Sequence, residues 1–92
     1  MEFEWDDAKR LSNIRKHGID FLDAVLVFEA DTLEWIDDRE AYDEERVIAL
    51  GLFGTTVLRV TYTLRAETYR IISAQKANRN DQKRFFDTTK SR

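Results

Sequence analysis

Three segments rich in β-branched and aromatic residues follow one another between residues 46 and 76, and they constrain the fold more than any other feature. Only a turn around Gly54 and the stretch Arg65–Thr68 separate them. Such short connections favour antiparallel hairpins, because a parallel crossover needs about a dozen residues or more. The sequence therefore predicts an antiparallel meander of three strands, Arg46–Leu52, Thr56–Leu64 and Tyr69–Lys76.

Helix and strand signals on both sides of the meander complete an α+β pattern. Asp6 and Asp20 are typical N-caps, and Gly18 is a typical C-terminal residue for the first helix. The further predicted elements are a strand Glu2–Trp5, helices Asp7–His17 and Phe21–Glu29, a strand Thr32–Asp37, an acidic loop Asp38–Glu45 and a helix Arg79–Thr88 docked by Phe85 or Phe86. We expect an α+β fold with an antiparallel sheet of four to five strands, two N-terminal helices and one C-terminal helix.

Length and composition limit the class of protein. The 92 residues contain no linker-like segment, which predicts a single domain over residues 1–92. The absence of cysteine excludes disulfides, thiolate metal sites and cysteine nucleophiles. No apolar run approaches the roughly 20 residues of a membrane span, and the acidic N-terminus is unlike a signal peptide. We expect a cytoplasmic protein that does not bind membranes.

Acidic and basic side chains are unevenly distributed along the chain. Residues 1–45 hold fifteen acidic and five basic side chains, whereas residues 46–92 hold three acidic and ten basic ones. The net charge of −3 conceals this difference. The distribution predicts a local basic surface, although a network of salt bridges between the two halves would explain it equally well.

Strand register predicts where the basic residues of the second half lie. A tight turn at Ala66–Glu67 sets Leu64 opposite Tyr69. The next pairs are then Thr63 with Arg70, Thr61 with Ile72, Arg59 with Ala74, and Val57 with Lys76. The core face would carry Leu58, Val60, Tyr62, Leu64, Tyr69, Ile71 and Ser73. The other face would carry Arg59, Thr61, Thr63, Arg65, Arg70 and Lys76, and pairing Gly51 with Thr56 would add Arg46.

A sheet face of this composition suits a polyanionic ligand. Arginine predominates, and its planar guanidinium group makes forked contacts to phosphate oxygens. Acidic residues that could neutralise these cations are almost absent from residues 46–80. The alternative is an ordinary solvated face, which is common in antiparallel sheets.

Two other features are candidates for chemistry. His17 is the only histidine, and this residue type ordinarily titrates near neutral pH. It is a catalytic candidate if the first helix packs beside the basic face, and otherwise a helix-capping residue. The acidic loop lacks the spaced ligands of a calcium site, so we expect it to be solvated and predict no metal site. Gly-rich phosphate loops and the common hydrolase motifs are absent.

A characteristic pattern of residues, in a fixed order, spans positions 3 to about 86 of the chain. It comprises Phe3-Glu4-Trp5-Asp6, Lys9, Asn13, Lys16-His17-Gly18-Ile19-Asp20-Phe21, Ala24, Val27-Phe28, Tyr42, Glu44, Arg46, Ile48, Leu50-Gly51, Val60, Tyr62-Thr63, Arg65, Arg70-Ile71-Ile72-Ser73-Ala74 and Lys76-Ala77. This set resembles the BrnT toxins of bacterial type II toxin–antitoxin systems. Gln75, Asp43 and Phe85 depart from the family pattern, which usually has arginine, glycine and tyrosine there.

The resemblance implies a RelE-like fold and a ribonuclease that arrests growth. It also implies a BrnA-like antitoxin with a ribbon-helix-helix part, and contact with operator DNA only through that antitoxin. Together with the basic face, it predicts cofactor-free and metal-independent RNA cleavage by the substrate's own 2′-OH. A non-catalytic module that binds nucleic acid or an acidic peptide is the alternative.

Roles for individual residues follow from this prediction. Arg65 and Arg70 would stabilise charge on the phosphoryl oxygens, while Arg46 and Lys76 would position or protonate the substrate. His17 is the first candidate for general acid or base. The residues expected to contact the RNA backbone are Lys9, Lys16, Arg59 and Arg79.

Overall fold

The computed structural model describes residues 1–90, which form five strands, three α-helices and one 3-10 helix. The elements are β1 (Glu2–Glu4), α1 (Asp7–His17), α2 (Phe21–Ala24), the 3-10 helix (Val25–Glu29), β2 (Leu33–Asp37), β3 (Arg46–Phe53), β4 (Thr56–Arg65), β5 (Thr68–Lys76) and α3 (Arg79–Lys90). The α+β prediction is confirmed, although the second helix changes to 3-10 geometry after Ala24. Within the described residues, no helix combines the length and the apolar character needed to cross a bilayer.

All five strands form one sheet in the order β1-β5-β4-β3-β2. Strands β2 to β5 are an antiparallel meander, as predicted. The expectation of a wholly antiparallel sheet is wrong, because β1 runs parallel to β5. No hairpin joins β1 to β5, so turn geometry does not dictate the direction of β1.

The β3–β4 hairpin closes through a two-residue turn. Gly54 has a φ of 61°, a conformation that tight hairpin turns require and that glycine adopts without strain. Phe53 therefore pairs with Thr56, and the predicted pairing of Gly51 with Thr56, which assumed a longer loop, is wrong by two residues. A shift of two residues preserves the side-chain faces, so Arg46 stays on the predicted face.

The β4–β5 hairpin contains a β-bulge that the sequence did not reveal. Next to the turn, the predicted pairs Leu64–Tyr69 and Thr63–Arg70 are confirmed. Beyond them Ile72 is an extra residue, so the observed pairs are Thr61–Ser73, Arg59–Gln75 and Leu58–Lys76. The predicted pairs Thr61–Ile72, Arg59–Ala74 and Val57–Lys76 are wrong for this reason. The bulge moves Ser73 and Gln75 onto the face that carries Arg59, and it moves Lys76 to the other face.

The main core lies between the sheet and the N-terminal helices. Its buried residues are Phe21, Ala24, Val27, Ala49, Leu58, Val60, Tyr62, Ile71 and Ala74. Gly51 permits close approach here, because a Cβ at this position would lie 2.8 Å from the Cβ of Val27. Leu64, predicted in the core, is 51% exposed because it lies at the end of β4, beside the turn.

Helix α3 covers part of the opposite sheet face. A second cluster forms there from Leu50, Val57, Ala77 and Phe85. Of the two predicted docking residues, Phe85 is buried and Phe86 is 41% exposed. The end of this face that carries Thr63 and Arg70 remains open.

The side chain of Asn13 joins α1 to the edge of β5. Among the described strands, β1 borders β5 only from Thr68 to Arg70. Farther along, Asn13 Nδ2 donates to the carbonyl oxygen of Ala74 at 2.7 Å, and its Oδ1 accepts from the amide nitrogen of Ala74 at 3.1 Å. Nδ2 also donates to the carbonyl oxygen of Ile19 at 2.9 Å. A single amide thus takes the place of a neighbouring strand and fixes α1 beside the sheet.

Substituting Asn13→Ala should lower the free energy of unfolding by about 2 kcal/mol or more, because buried backbone groups of Ala74 lose their partners. Urea denaturation measures the change. Arg15→Ala, at an exposed position of the same helix, is the matched control and should change stability by less than about 0.5 kcal/mol. Equal stability of the two variants would contradict the structural role of the amide.

Candidate active site

A cavity of about 180 Å³ lies at the open end of the sheet face. Its lining residues are Lys9, Asp43, Glu44, Arg46, Thr63, Arg65, Arg70 and Ile72, and we call it the arginine basin. The cations come from α1, β3, β4 and β5, so distant parts of the chain build it together. The structure therefore brings together Arg46, Arg65 and Arg70, three of the residues that the sequence singled out.

Carboxylates already occupy part of the arginine basin. Arg65 donates to Glu44 Oε1 at 2.9 Å, and Arg70 donates to Glu4 Oε2 at 3.2 Å. The expectation that acidic partners are lacking is wrong, because these acids lie outside residues 46–80. The parallel pairing of β1 with β5 sets Glu4 beside Arg70, and the acidic loop supplies Glu44.

The ion pair between Arg65 and Glu44 is accessible to solvent. The side chains are 51% and 44% exposed, respectively. The hydrogen bond from Arg65 lowers the pKa of Glu44. Because exposed pairs of this kind contribute little to stability, Glu44 can leave Arg65 at low cost when another anion arrives.

A buried carboxylate anchors the acidic loop near the basin. Asp37 accepts hydrogen bonds from Arg39 at 2.8 and 2.9 Å and from the Tyr42 hydroxyl at 3.2 Å. The Arg39 guanidinium lowers the pKa of Asp37 to about 2. Arg46 stacks over the Tyr42 ring, with its guanidinium carbon 4.1 Å from the ring centroid. The loop is largely exposed, as predicted, and these contacts hold one end of it and orient Arg46.

Arg59 lies apart from the basin, against α3. Its Nη1 donates to Asp81 Oδ2 at 2.6 Å, and the side chains are only 17% and 7% exposed. Asp81 in turn lies in the first turn of α3. This nearly buried ion pair ties the helix to the sheet.

His17 lies in a groove that adjoins the basin. The groove has a volume of about 260 Å³ and runs between α1 and β5. Its lining residues are Lys9, Ser12, Asn13, Lys16, His17, Ile72 and Ser73, and we call it the histidine groove. Lys9 and Ile72 line both depressions. His17 was a catalytic candidate on the condition that the first helix packs beside the basic face. Helix α1 does pack there.

The two remaining predicted residues lie elsewhere. Lys76 is exposed and opposite Leu58, six residues along β5 from Arg70, a distance of roughly 20 Å in a strand. Arg79 is exposed at the first position of α3. Neither residue lines the arginine basin or the histidine groove. Within residues 1–90, no group of three or more His, Asp or Glu side chains is arranged to hold a metal ion.

Comparison with known proteins agrees with this architecture. Residues 5–81 match the model of a family described as "Ribonuclease toxin, BrnT, of type II toxin-antitoxin system". The chain belongs to the BrnT family. The family also implies a cognate antitoxin as a partner.

A solved structure supports the same assignment to BrnT. The chain is similar to the crystal structure of the Brucella abortus ribonuclease toxin, BrnT, with 29% sequence identity and a TM-score of 0.62. The match covers 86% of this chain and 99% of the Brucella chain. No curated protein matches the chain in sequence.

Sequence reasoning missed three contributors to the candidate site. Glu4 and Glu44 stood in the family pattern, but their pairing with arginines depends on the β1–β5 contact and on the loop anchor. Ile72 was assigned to a regular pair, although the bulge places it between the basin and the groove. The only sequence signal was the presence of these positions in the ordered family set.

The arginines of this BrnT-family chain should differ sharply in their effect on folding. Arg59→Ala leaves the buried carboxylate of Asp81 without its partner and should lower the free energy of unfolding by about 3 kcal/mol. Arg65→Ala, which opens an exposed pair, should leave stability within experimental error. Urea denaturation measures both.

The double variant Arg59→Ala/Asp81→Ala is the control for the ion pair. It should recover part of the loss, because no unpaired charge remains under α3. Equal stability of the Arg59→Ala and Arg65→Ala variants would contradict the distinction between the two arginines.

Proposed function

We propose that this protein is a metal-independent endoribonuclease that cleaves RNA in the arginine basin and arrests growth in the cytoplasm. The observation that carries the proposal is the convergence of Arg46, Arg65, Arg70 and Lys9 on one cavity, in a chain that belongs to a family of ribonuclease toxins. Guanidinium groups arranged in this way suit a phosphate whose negative charge increases during reaction.

The proposed reaction uses the 2′-OH of the substrate as the nucleophile. A base removes its proton, the oxygen attacks the adjacent phosphorus, and the bond from phosphorus to the 5′-oxygen breaks. The leaving 5′-oxygen takes up a proton, so the products end in a 2′,3′-cyclic phosphate and a 5′-OH. Arg65 and Arg70 stabilise the added charge on the phosphoryl oxygens, and Arg46 orients the phosphate.

Entry of the phosphate requires carboxylates to leave. Glu44 holds Arg65, and Glu4 holds Arg70, through side chains that are partly exposed. A phosphate replaces them without leaving any charge unpaired, because Glu44 and Glu4 return to water. These carboxylates also keep the arginines in place before substrate binds.

Two side chains are candidates for proton transfer in this proposal. His17 lies in the groove that adjoins the basin. Glu44 lies on the wall of the basin, and after the phosphate displaces it from Arg65 it remains there as a carboxylate that can accept the proton of the 2′-OH. Lys9 and Lys16, which line the histidine groove, contact the RNA backbone. Arg59, Lys76 and Arg79 line neither the basin nor the histidine groove, so in this proposal they do not contact the cleaved phosphate.

The alternative, a non-catalytic binding module, also has an observation in its favour. The basin already accommodates the carboxylates of Glu4 and Glu44, so an acidic peptide would fit it. A nuclease converts RNA to shorter products, whereas a binding module only retards it in a gel.

Incubation with single-stranded RNA and excess EDTA should yield fragments with 2′,3′-cyclic or 3′-phosphate ends, because the nucleophile belongs to the RNA. Arg65→Ala and Arg70→Ala should each lower the rate about 10²-fold or more, because each removes a positioned cation. Gel analysis and mass spectrometry of the ends measure these outcomes.

Arg79→Ala, which removes an exposed cation outside the basin, is the matched control and should retain the wild-type rate. His17→Asn and Glu44→Gln test the two proton-transfer candidates, and the residue that acts should cost about 10²-fold or more. Strict dependence on magnesium, or equal cleavage of an all-deoxy strand, would contradict the proposed chemistry.

The proposal extends to the antitoxin. We infer a BrnA-like protein whose ribbon-helix-helix part binds operator DNA, and whose acidic or amphipathic segment covers the arginine basin. The ion pairs of Glu4 with Arg70 and of Glu44 with Arg65 support this inference, because carboxylates of such a segment would make the same kind of contact. Covering the basin excludes RNA and thereby inhibits the toxin.

The association rate of this antitoxin should decrease as salt increases, because opposite charges steer the encounter. Arg65→Ala and Arg70→Ala should weaken binding, while Arg79→Ala should not. Stopped-flow fluorescence measures the rates. Tight binding that leaves the basin arginines accessible to RNA would overturn this mode of inhibition, although not the pairing itself.

A further inference from the structure

A third depression on the open sheet face differs in chemistry from the arginine basin. It has a volume of about 360 Å³, within the range of small-ligand sites. Its lining residues are Arg39, Arg59, Thr61, Ser73, Gln75 and Asn78, and we call it the amide pocket. Ser73 also lines the histidine groove, so the amide pocket continues the path that begins in the basin.

Both charged residues of the amide pocket have carboxylate partners. Arg59 donates to Asp81 at 2.6 Å, and Arg39 makes two hydrogen bonds to Asp37 at 2.8 and 2.9 Å. The carboxylate of each pair is buried away from solvent, since the side chains of Asp81 and Asp37 are only 7% and 3% exposed. The amide pocket is therefore close to neutral and offers a phosphate little attraction.

The remaining polar groups of the amide pocket are available to a ligand. In the part of the chain that the structure describes, the side chains of Thr61, Ser73 and Gln75 make no hydrogen bond. Asn78 accepts from the amide nitrogen of Asp81 through Oδ1 at 2.8 Å, which leaves its NH₂ group as a donor. Amide and hydroxyl groups of this kind are what proteins use to bind the edges of nucleobases.

The β-bulge at Ile72 creates this arrangement. Without the extra residue, Ser73 and Gln75 would lie on the sheet face that packs against the N-terminal helices. The sequence predicted that face for Ser73. With it, Ser73 faces Thr61 and Gln75 faces Arg59 on the open side. Bulges often redirect side chains next to active sites, and this one adds uncharged donors and acceptors beside a row of cations.

We propose that the amide pocket binds one nucleobase of the RNA and that Gln75 selects its identity. The inference rests on the proposed function, which places the cleaved phosphate in the basin. The Thr63–Arg70 pair and the Arg59–Gln75 pair are four residues apart on β4, or roughly 13 Å. The bound base therefore belongs to a nucleotide near the cleaved linkage, and its identity sets the sequence preference of cleavage.

The test compares wild type, Gln75→Ala and Gln75→Glu on a random-sequence RNA library, with cleavage sites mapped by sequencing. Wild type should prefer one base at a fixed position beside the cut by about 10-fold or more. Gln75→Ala should abolish the preference at that position, and Gln75→Glu should change the preferred base, because a carboxylate accepts hydrogen bonds but cannot donate them. Asn80→Ala, which removes an exposed amide of α3 outside the pocket, should retain the preference.

A second readout separates failure of this inference from failure of the proposed function. Binding of 2′-O-methyl RNA heptamers that differ at one base measures discrimination without any cleavage. Loss of discrimination in Gln75→Ala, with unchanged thermal unfolding, supports the pocket even if no RNA is cut. RNA cleavage with the same base preference in wild type and Gln75→Ala would overturn the inference and leave the nuclease proposal standing. Equal binding of all heptamers by wild type would also overturn it.

Discussion

The contact between the Asn13 amide and the backbone of Ala74 positions the rest of the site. β1 protects the edge of β5 only as far as Arg70, and beyond that point the amide takes over the strand's hydrogen bonds. Because Asn13 lies in the middle of α1, this contact fixes the whole helix. Lys9 then reaches the arginine basin and His17 the adjoining groove. A buried hydrogen-bonding group thus links the fold to the chemistry.

The open sheet face has two regions whose side chains differ in chemistry. Arg65 and Arg70 lie at the end near the β4–β5 turn, where their carboxylate partners Glu44 and Glu4 are 44% and 38% exposed. Its amides and hydroxyls lie towards α3, where the partners of the arginines are buried and permanent. The bulge at Ile72 marks the boundary between these regions. In our proposal the first region holds a phosphate and the second a base.

The sequence predicted the elements well because their signals are local. Asp6, Gly18 and Asp20 mark the helix ends, and alternating apolar residues mark the strands. The side-chain face of Arg46, Arg65 and Arg70 was also predictable, since errors of two residues leave it unchanged. The predictions that failed concern features that depend on contacts between segments distant in the sequence. Neither the bulge, nor the parallel β1, nor the carboxylates that approach the arginines can be derived from local pattern alone, as the misplaced Lys76 demonstrates.

The central claim is that the arginine basin holds the phosphate at which RNA is cut. The most direct measurement is a crystal structure with a short RNA whose reacting 2′-OH is methylated, so that the complex stays intact. The account predicts the adjacent phosphate within about 3 Å of guanidinium nitrogens of Arg65 and Arg70, with Glu44 displaced from Arg65. An RNA bound elsewhere, for example along Lys76 and Arg79, with the Arg65–Glu44 pair intact, would contradict it.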